Sequence, residues 1–99
     1  MSQNRKILII EDDTLLVEEL SEQILMHEEF DVISAETAST GLAAAKSEAP
    51  DLILLDVGLP DQDGRETCKL MRKAGITTPI IILTGADYDA DTILGLEAG

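Results

Sequence analysis

Three short apolar runs, each followed at once by a polar residue, constrain the fold of this chain more than any other feature. Continuous apolar runs of this length are typical of strands buried on both faces of a parallel sheet. The runs extend over Lys6 to Ile10, Leu52 to Leu55 and Pro79 to Leu83. The polar residues that follow them are Glu11, Asp56 and Thr84, respectively. The sequence therefore predicts strands 1, 3 and 4 of a sheet that carries polar groups at one end.

The segments between these runs have the pattern of helices and of one further strand. Leu16, Leu20 and Ile24 recur at helical spacing, and Thr37 offers a cap ahead of an alanine-rich stretch that Pro50 closes. The predicted helices are Thr14 to His27, Ala38 to Glu48, Arg65 to Ala74 before Gly75, and Ala90 to Ala98, and strand 2 is Asp31 to Ala35.

Alternation of strands and helices predicts a single α/β domain over residues 1–99, with a doubly wound, flavodoxin-like parallel sheet. In the 2-1-3-4-5 strand order of that class, strands 1 and 3 are neighbours, and ligands bind beyond their carboxyl ends. Glu11, Asp12, Asp56 and Thr84 all fall at that end. This edge of the sheet is the expected place for the chemistry.

Charge and cysteine content exclude several classes of function. Twenty acidic and seven basic residues leave a formal charge of -13, which argues against direct binding of nucleic acid or of an anionic membrane. The single cysteine, Cys68, cannot form an internal disulfide, and no run reaches the ~20 apolar residues of a membrane span. We expect a cytoplasmic protein without a membrane segment.

Three carboxylates at one edge would repel each other unless a cation neutralised them. Magnesium commonly takes one or two carboxylates and fills its other positions with water and phosphate oxygens. A site with Glu11, Asp12 and Asp56 therefore suits Mg²⁺ and a phosphoryl group, with Asp56 as nucleophile. Asp12 and Asp13 could instead favour the positive end of helix 1, and for Asp13 we expect that helix-start role.

Three segments together resemble the receiver domain of two-component response regulators, and the resemblance covers essentially all 99 residues. The segments read I-L-I-I-E-D-D, P-D-L-I-L-L-D-V-G-L-P-D-Q-D-G and P-I-I-I-L-T-G-A. The resemblance implies that Asp56 accepts a phosphoryl group from a sensor histidine kinase or a phosphotransfer protein, and that an output surface or effector domain then responds.

The resemblance also implies a role for each residue around Asp56. Asp12 would bind Mg²⁺ directly, Glu11 would hold it through water, and the backbone carbonyl of Gly58 would supply another oxygen. The hydroxyl of Thr84 would turn toward the bound phosphoryl group. A backbone N–H of Gly85 or Ala86 would support another phosphoryl oxygen.

The sequence departs from the family pattern at its end. The family's fifth strand carries a lysine that pairs with the phosphoryl group, and the chain ends before it, so we expect a receiver domain truncated before the fifth strand and helix. Strand 4 would then be an edge that favours a homodimer or strand exchange.

The sequence leaves three alternatives to a phosphoacceptor domain. A receiver-fold interaction domain without phosphorylation and an inert fragment are open alternatives. A Mg²⁺-dependent phosphohydrolase fits less well, because it commonly needs an acid two positions after its nucleophile, where this chain has Gly58.

Overall fold

The computed structural model describes residues 4–83. Within that range four strands alternate with three helices, as the sequence predicts. The elements are β1 (Arg5–Ile10), α1 (Thr14–Leu25), β2 (Phe30–Ala35), α2 (Ala38–Glu48), β3 (Leu52–Asp56), α3 (Gly64–Lys73) and β4 (Ile80–Leu83). Predicted helix 4, the residues Thr84, Gly85 and Ala86, and the rest of the chain after Leu83 lie outside the described residues.

The four strands form one parallel sheet in the order β2-β1-β3-β4. Strand β1 lies in the middle, with Ile10 opposite Ala35 of β2 and opposite Leu55 of β3. Every connection therefore crosses over through a helix, as parallel pairing requires. The predicted flavodoxin-like α/β fold and its strand order are confirmed.

Capping explains why α2 has the bounds that the sequence predicts. The Thr37 hydroxyl accepts a hydrogen bond from the N–H of Thr40 at 3.1 Å, and the Thr40 hydroxyl accepts one from the N–H of Thr37. These reciprocal bonds satisfy donors that have no partner within the helix. At the other end, Ala49 turns into the left-handed region with a φ of 47°, and Pro50 follows.

Several of the other predicted boundaries are wrong by one or two residues. Helix α1 ends at Leu25 rather than His27, because the chain must turn there to enter β2. Met26 is the cap, and the carbonyl of His27 accepts the N–H of Phe30 at 3.3 Å. Helix α3 begins and ends one residue earlier than predicted. Strands β1 and β2 each begin one residue earlier, and β4 begins at Ile80 because Pro79 has no N–H to donate.

The main core lies between the sheet and the pair α2 and α3. Its largest members are fully buried strand side chains, together with Met71 and Cys68 of α3. Cys68 is fully buried, so its thiol is not exposed to solvent. Gly41 brings α2 close to β1, since a Cβ there would lie 2.5 Å from Cδ1 of Ile10. Among residues 4–83, no helix has both the length and the apolar character needed to cross a membrane.

Candidate metal centre

The carboxyl ends of β1 and β3 bring three acids together. Because Ile10 pairs with Leu55, the next residues, Glu11 and Asp56, leave their strands side by side. Asp12 follows Glu11, and one carboxylate oxygen from each of the three acids lies within 4.8 Å of the others. We call Glu11, Asp12 and Asp56 the acidic site. The structure thus places three of the predicted site residues in one cluster.

Two of these three carboxyl groups are buried. Glu11 is 4% and Asp56 is 8% exposed, whereas Asp12 is exposed to solvent. The pKa of Glu11 is raised to about 7, chiefly by burial and also by the negative charges of Asp56 and Asp12, while the hydrogen bond from the N–H of Asp13 opposes the shift. Burial also raises the pKa of Asp56; the N–H of Gly58 opposes this shift and the charge of Asp12 adds to it. The fold holds these acids where a negative charge is costly.

This arrangement fits a hard divalent cation. All the side-chain donors are oxygens, two of the three acids are withdrawn from water, and the exposed Asp12 leaves one side open. A cation would stabilise the ionised form of each acid, which burial and mutual repulsion disfavour. Magnesium matches such a site because it uses few protein carboxylates and keeps positions for water or phosphate.

Asp13, the next acid along the chain, serves α1. Its Oδ1 accepts hydrogen bonds from the N–H groups of Leu15 and Leu16, at 3.1 and 3.2 Å. The backbone N–H of Asp13 donates to Oε2 of Glu11 at 3.0 Å, so the same residue also holds Glu11 in place. The predicted helix-start role of Asp13 is confirmed.

The loop from residue 57 to residue 63, the β3–α3 loop, orients Asp56. The N–H of Gly58 donates to Oδ2 of Asp56 at 3.0 Å. The loop is closed at its base by the N–H of Gly64, which donates to the carbonyl of Val57 at 2.9 Å, and by a bridge between Gly58 and Asp63. Asp63 then caps α3 through the N–H of Arg65 at 2.7 Å. The loop is therefore an ordered support for Asp56.

Two residues of this region have structural roles that were not predicted from the sequence. Gly64 packs against the backbone of Asp56, and a Cβ there would lie 2.9 Å from the carbonyl carbon of Asp56 and from Cα of Val57. A glycine between a loop and a helix is a recognisable signal of such close approach. Asp61 accepts hydrogen bonds from the N-terminus of α2, and no spacing in the sequence indicates that contact.

A family model described as the response regulator receiver domain matches residues 7–99. The chain belongs to the response regulator receiver domain family. Receiver domains are the phosphoacceptor modules of two-component signalling.

Known relatives agree with this assignment. The receiver domain is 43% identical over 96 residues to the alkaline phosphatase synthesis transcriptional regulatory protein PhoP of Bacillus subtilis; the alignment covers 97% of this chain and 40% of PhoP. The chain thus spans well under half of that relative.

Solved receiver domains have the same fold. The receiver domain of Francisella response regulator 1452 superposes with a TM-score of 0.83 at 29% identity, covering 97% of this chain and 78% of that one. The BeF3-activated N-terminal receiver domain of Klebsiella pneumoniae RstA gives a TM-score of 0.81 at 34% identity, covering 96% and 80%.

Proposed function

We propose that this receiver domain accepts a phosphoryl group on Asp56 from a sensor histidine kinase or a phosphotransfer protein, with Mg²⁺ at the acidic site. The observation that carries the proposal is the position of Asp56. It is a buried carboxyl group at the end of a central strand, beside two other acids and held by the N–H of Gly58. Neither a helix cap nor a solvated surface explains an acid in that position.

The transfer needs a carboxylate oxygen directed at phosphorus. The N–H of Gly58 fixes Oδ2 of Asp56, so Oδ1 is the oxygen we assign as nucleophile. It forms the new P–O bond while the P–N bond of a phosphohistidine donor breaks, and the electron pair of that bond stays on the departing imidazole. The burial of Asp56 limits access of water to the acyl phosphate that results.

Asp12 and Asp56 would hold Mg²⁺ directly, with Glu11 acting through water and the carbonyl of Gly58 as a further oxygen. When bound, the ion neutralises the charge of the carboxylates and of the phosphoryl oxygens. At Gly58 a Cβ would lie 3.6 Å from Oδ2 of Asp56, an ordinary contact. A residue with a side chain would therefore fit at position 58 and would still supply the backbone carbonyl.

The hydroxyl of Thr84 remains our candidate for the switch group that meets the phosphoryl group. Thr84 follows β4, and β4 lies beside β3, with Leu83 opposite Asp56.

The phosphoryl group would stay on the protein's own side chain, so the domain acts as an acceptor and switch. Because PhoP is a transcriptional regulatory protein, an effector of that kind is the output we propose. A cytoplasmic location stays a prediction from the sequence.

The outer edge of β4 is the surface that we propose for a homodimer or strand exchange. Among residues 4–83, β4 pairs with β3 alone, and an edge strand with apolar side chains favours pairing with a second chain. Sedimentation over a range of concentrations tests this. A growing dimer fraction is expected, and a monomer at every concentration would contradict it.

Intact mass spectrometry with acetyl phosphate tests the phosphoacceptor proposal. We expect the chain to gain the mass of one phosphoryl group when Mg²⁺ is present and much less in EDTA. Asp56→Asn should gain none. Asp31→Asn is the matched control, because Asp31 is an exposed acid on β2, outside the acidic site. Equal labelling of Asp56→Asn and the parent chain would reject the assignment.

A further inference from the structure

The side chain of Asp61 joins the β3–α3 loop to the start of α2. Its Oδ1 accepts the backbone N–H of Ala38 at 2.8 Å, and its Oδ2 accepts that of Ser39 at 3.1 Å. These are the first two N–H groups of α2, which have no acceptor within the helix. The two bonds, that of Ala38 first, lower the pKa of Asp61. One carboxylate therefore connects segments 22 and 23 residues apart in the chain.

Helix α2 already has a local cap, so the bonds to Asp61 are additional. The hydroxyl of Thr37 accepts the N–H of Thr40, a different donor from those that Asp61 takes. Thr37 stabilises the start of α2, and its side chain makes no hydrogen bond to the described residues of the β3–α3 loop. Asp61 differs because its bonds restrain the loop as well as the helix.

At its other end the same loop touches the acidic site. Gly58 lies three residues before Asp61 and donates its N–H to the Asp56 carboxylate. The base of the loop is fixed by the bond from Gly64 to Val57, and Leu59 is packed into the core. Asp61 fixes the loop on the side that faces α2. Movement there would be transmitted over three residues to Gly58.

We propose that Asp61 is a positioning residue: it anchors the β3–α3 loop on α2 and so keeps Gly58 in place to orient Asp56. The proposal rests on the function proposed above for the acidic site. Groups hydrogen-bonded to a metal ligand commonly change metal affinity by about ten- to a hundredfold. Asp61 acts one step further away, through Gly58, so we expect an effect at the lower end of that range. Coupling between two sites is also reciprocal, so a ligand at the acidic site must strengthen the bonds from Ala38 and Ser39 to Asp61.

Calorimetric titration of Mg²⁺ into matched variants separates positioning from helix stability. Asp61→Ala should bind Mg²⁺ on the order of tenfold more weakly than the parent chain. Asp61→Asn keeps one acceptor oxygen and should fall between them. Thr37→Ala removes a cap from the same helix and should bind Mg²⁺ as the parent does. Equal affinity in Asp61→Ala and the parent, or an equal loss in Thr37→Ala, would overturn the proposal.

Hydrogen exchange on the parent chain tests the reciprocal effect and needs no variant. Mg²⁺ with beryllofluoride should slow exchange of the Ala38 and Ser39 amides more than that of the Thr40 amide, which bonds to Thr37. If the parent binds Mg²⁺ and these two amides do not respond, the positioning role is wrong and the proposed function stands. If the parent binds no Mg²⁺, the proposed function fails and the role of Asp61 fails with it.

Discussion

Replacing Glu11 by glutamine should make the metal-free protein more stable at neutral pH. Glutamine has nearly the same shape and keeps an oxygen that can accept the N–H of Asp13, so the change removes mainly the charge. Burial raises the pKa of Glu11 from 4.5 to about 7. The folded state therefore binds this proton more tightly than the unfolded state does, and stability falls as the pH rises from 4.5 toward 7.

The size of this effect follows from the two pKa values. At about 1.4 kcal/mol per pH unit, the shift of Glu11 from 4.5 to about 7 costs the parent chain on the order of 3 kcal/mol of unfolding free energy at pH 8. Asp56 changes in the same direction, because burial raises its pKa too. Glu11→Gln should lack the loss of stability at high pH that comes from Glu11. It should therefore be more stable than the parent at pH 8 and lose this advantage near pH 4.5.

Urea denaturation in EDTA at several pH values measures this difference. Glu18→Gln is the control, because Glu18 is an exposed acid of α1, and it should follow the parent at each pH. Mg²⁺ should then stabilise the parent more than Glu11→Gln, because the ion neutralises the negative charge of Glu11, which the variant lacks. The reasoning is refuted if Glu11→Gln and the parent have the same pH dependence in EDTA.

Three further substitutions test other contacts. Asp12→Ala should weaken Mg²⁺ binding in calorimetry while leaving the free energy of unfolding in EDTA unchanged or raised, since Asp12 is exposed and its charge raises the pKa of Asp56; unchanged Mg²⁺ affinity would contradict it. Gly64→Ala should destabilise the fold in urea by about 1–3 kcal/mol, because the new Cβ meets the backbone of Asp56; a parent-like midpoint would contradict the close packing. Thr37→Ala should lower the free energy of unfolding in urea by about 1 kcal/mol, because the helix loses its local cap. A decrease smaller than a few tenths of a kcal/mol would show that Asp61 alone caps α2.

Much of the fold could be predicted because each buried strand is a separate apolar run. The acidic site could also be predicted, since Glu11 and Asp56 directly follow strands that the topology makes neighbours. The end of α1 was misplaced because Met26 continues the apolar pattern beyond Leu25, where the helix ends. Tertiary geometry decides such a boundary, and both side chains are exposed.

The contact of Asp61 could not be predicted in the same way. Side-chain caps are recognised from residues next to the helix they cap, as Thr37 is next to α2. Asp61 reaches α2 from 22 and 23 residues later in the chain, and only the packing of α3 beside α2 brings it there. Repulsion among the three carboxylates could be predicted, but the contribution of burial to the raised pKa of Glu11 could not, since that burial depends on how the strands assemble.

The central claim, that Asp56 is the residue that takes the phosphoryl group, is tested most directly by locating the label. Borohydride reduces an aspartyl phosphate to homoserine, and tandem mass spectrometry of the digested chain then identifies the converted residue. After treatment with acetyl phosphate and Mg²⁺ we expect conversion at Asp56, and none when the donor or Mg²⁺ is omitted. Conversion at Asp12 instead, or no conversion at Asp56 under conditions that label the intact chain, would contradict the account.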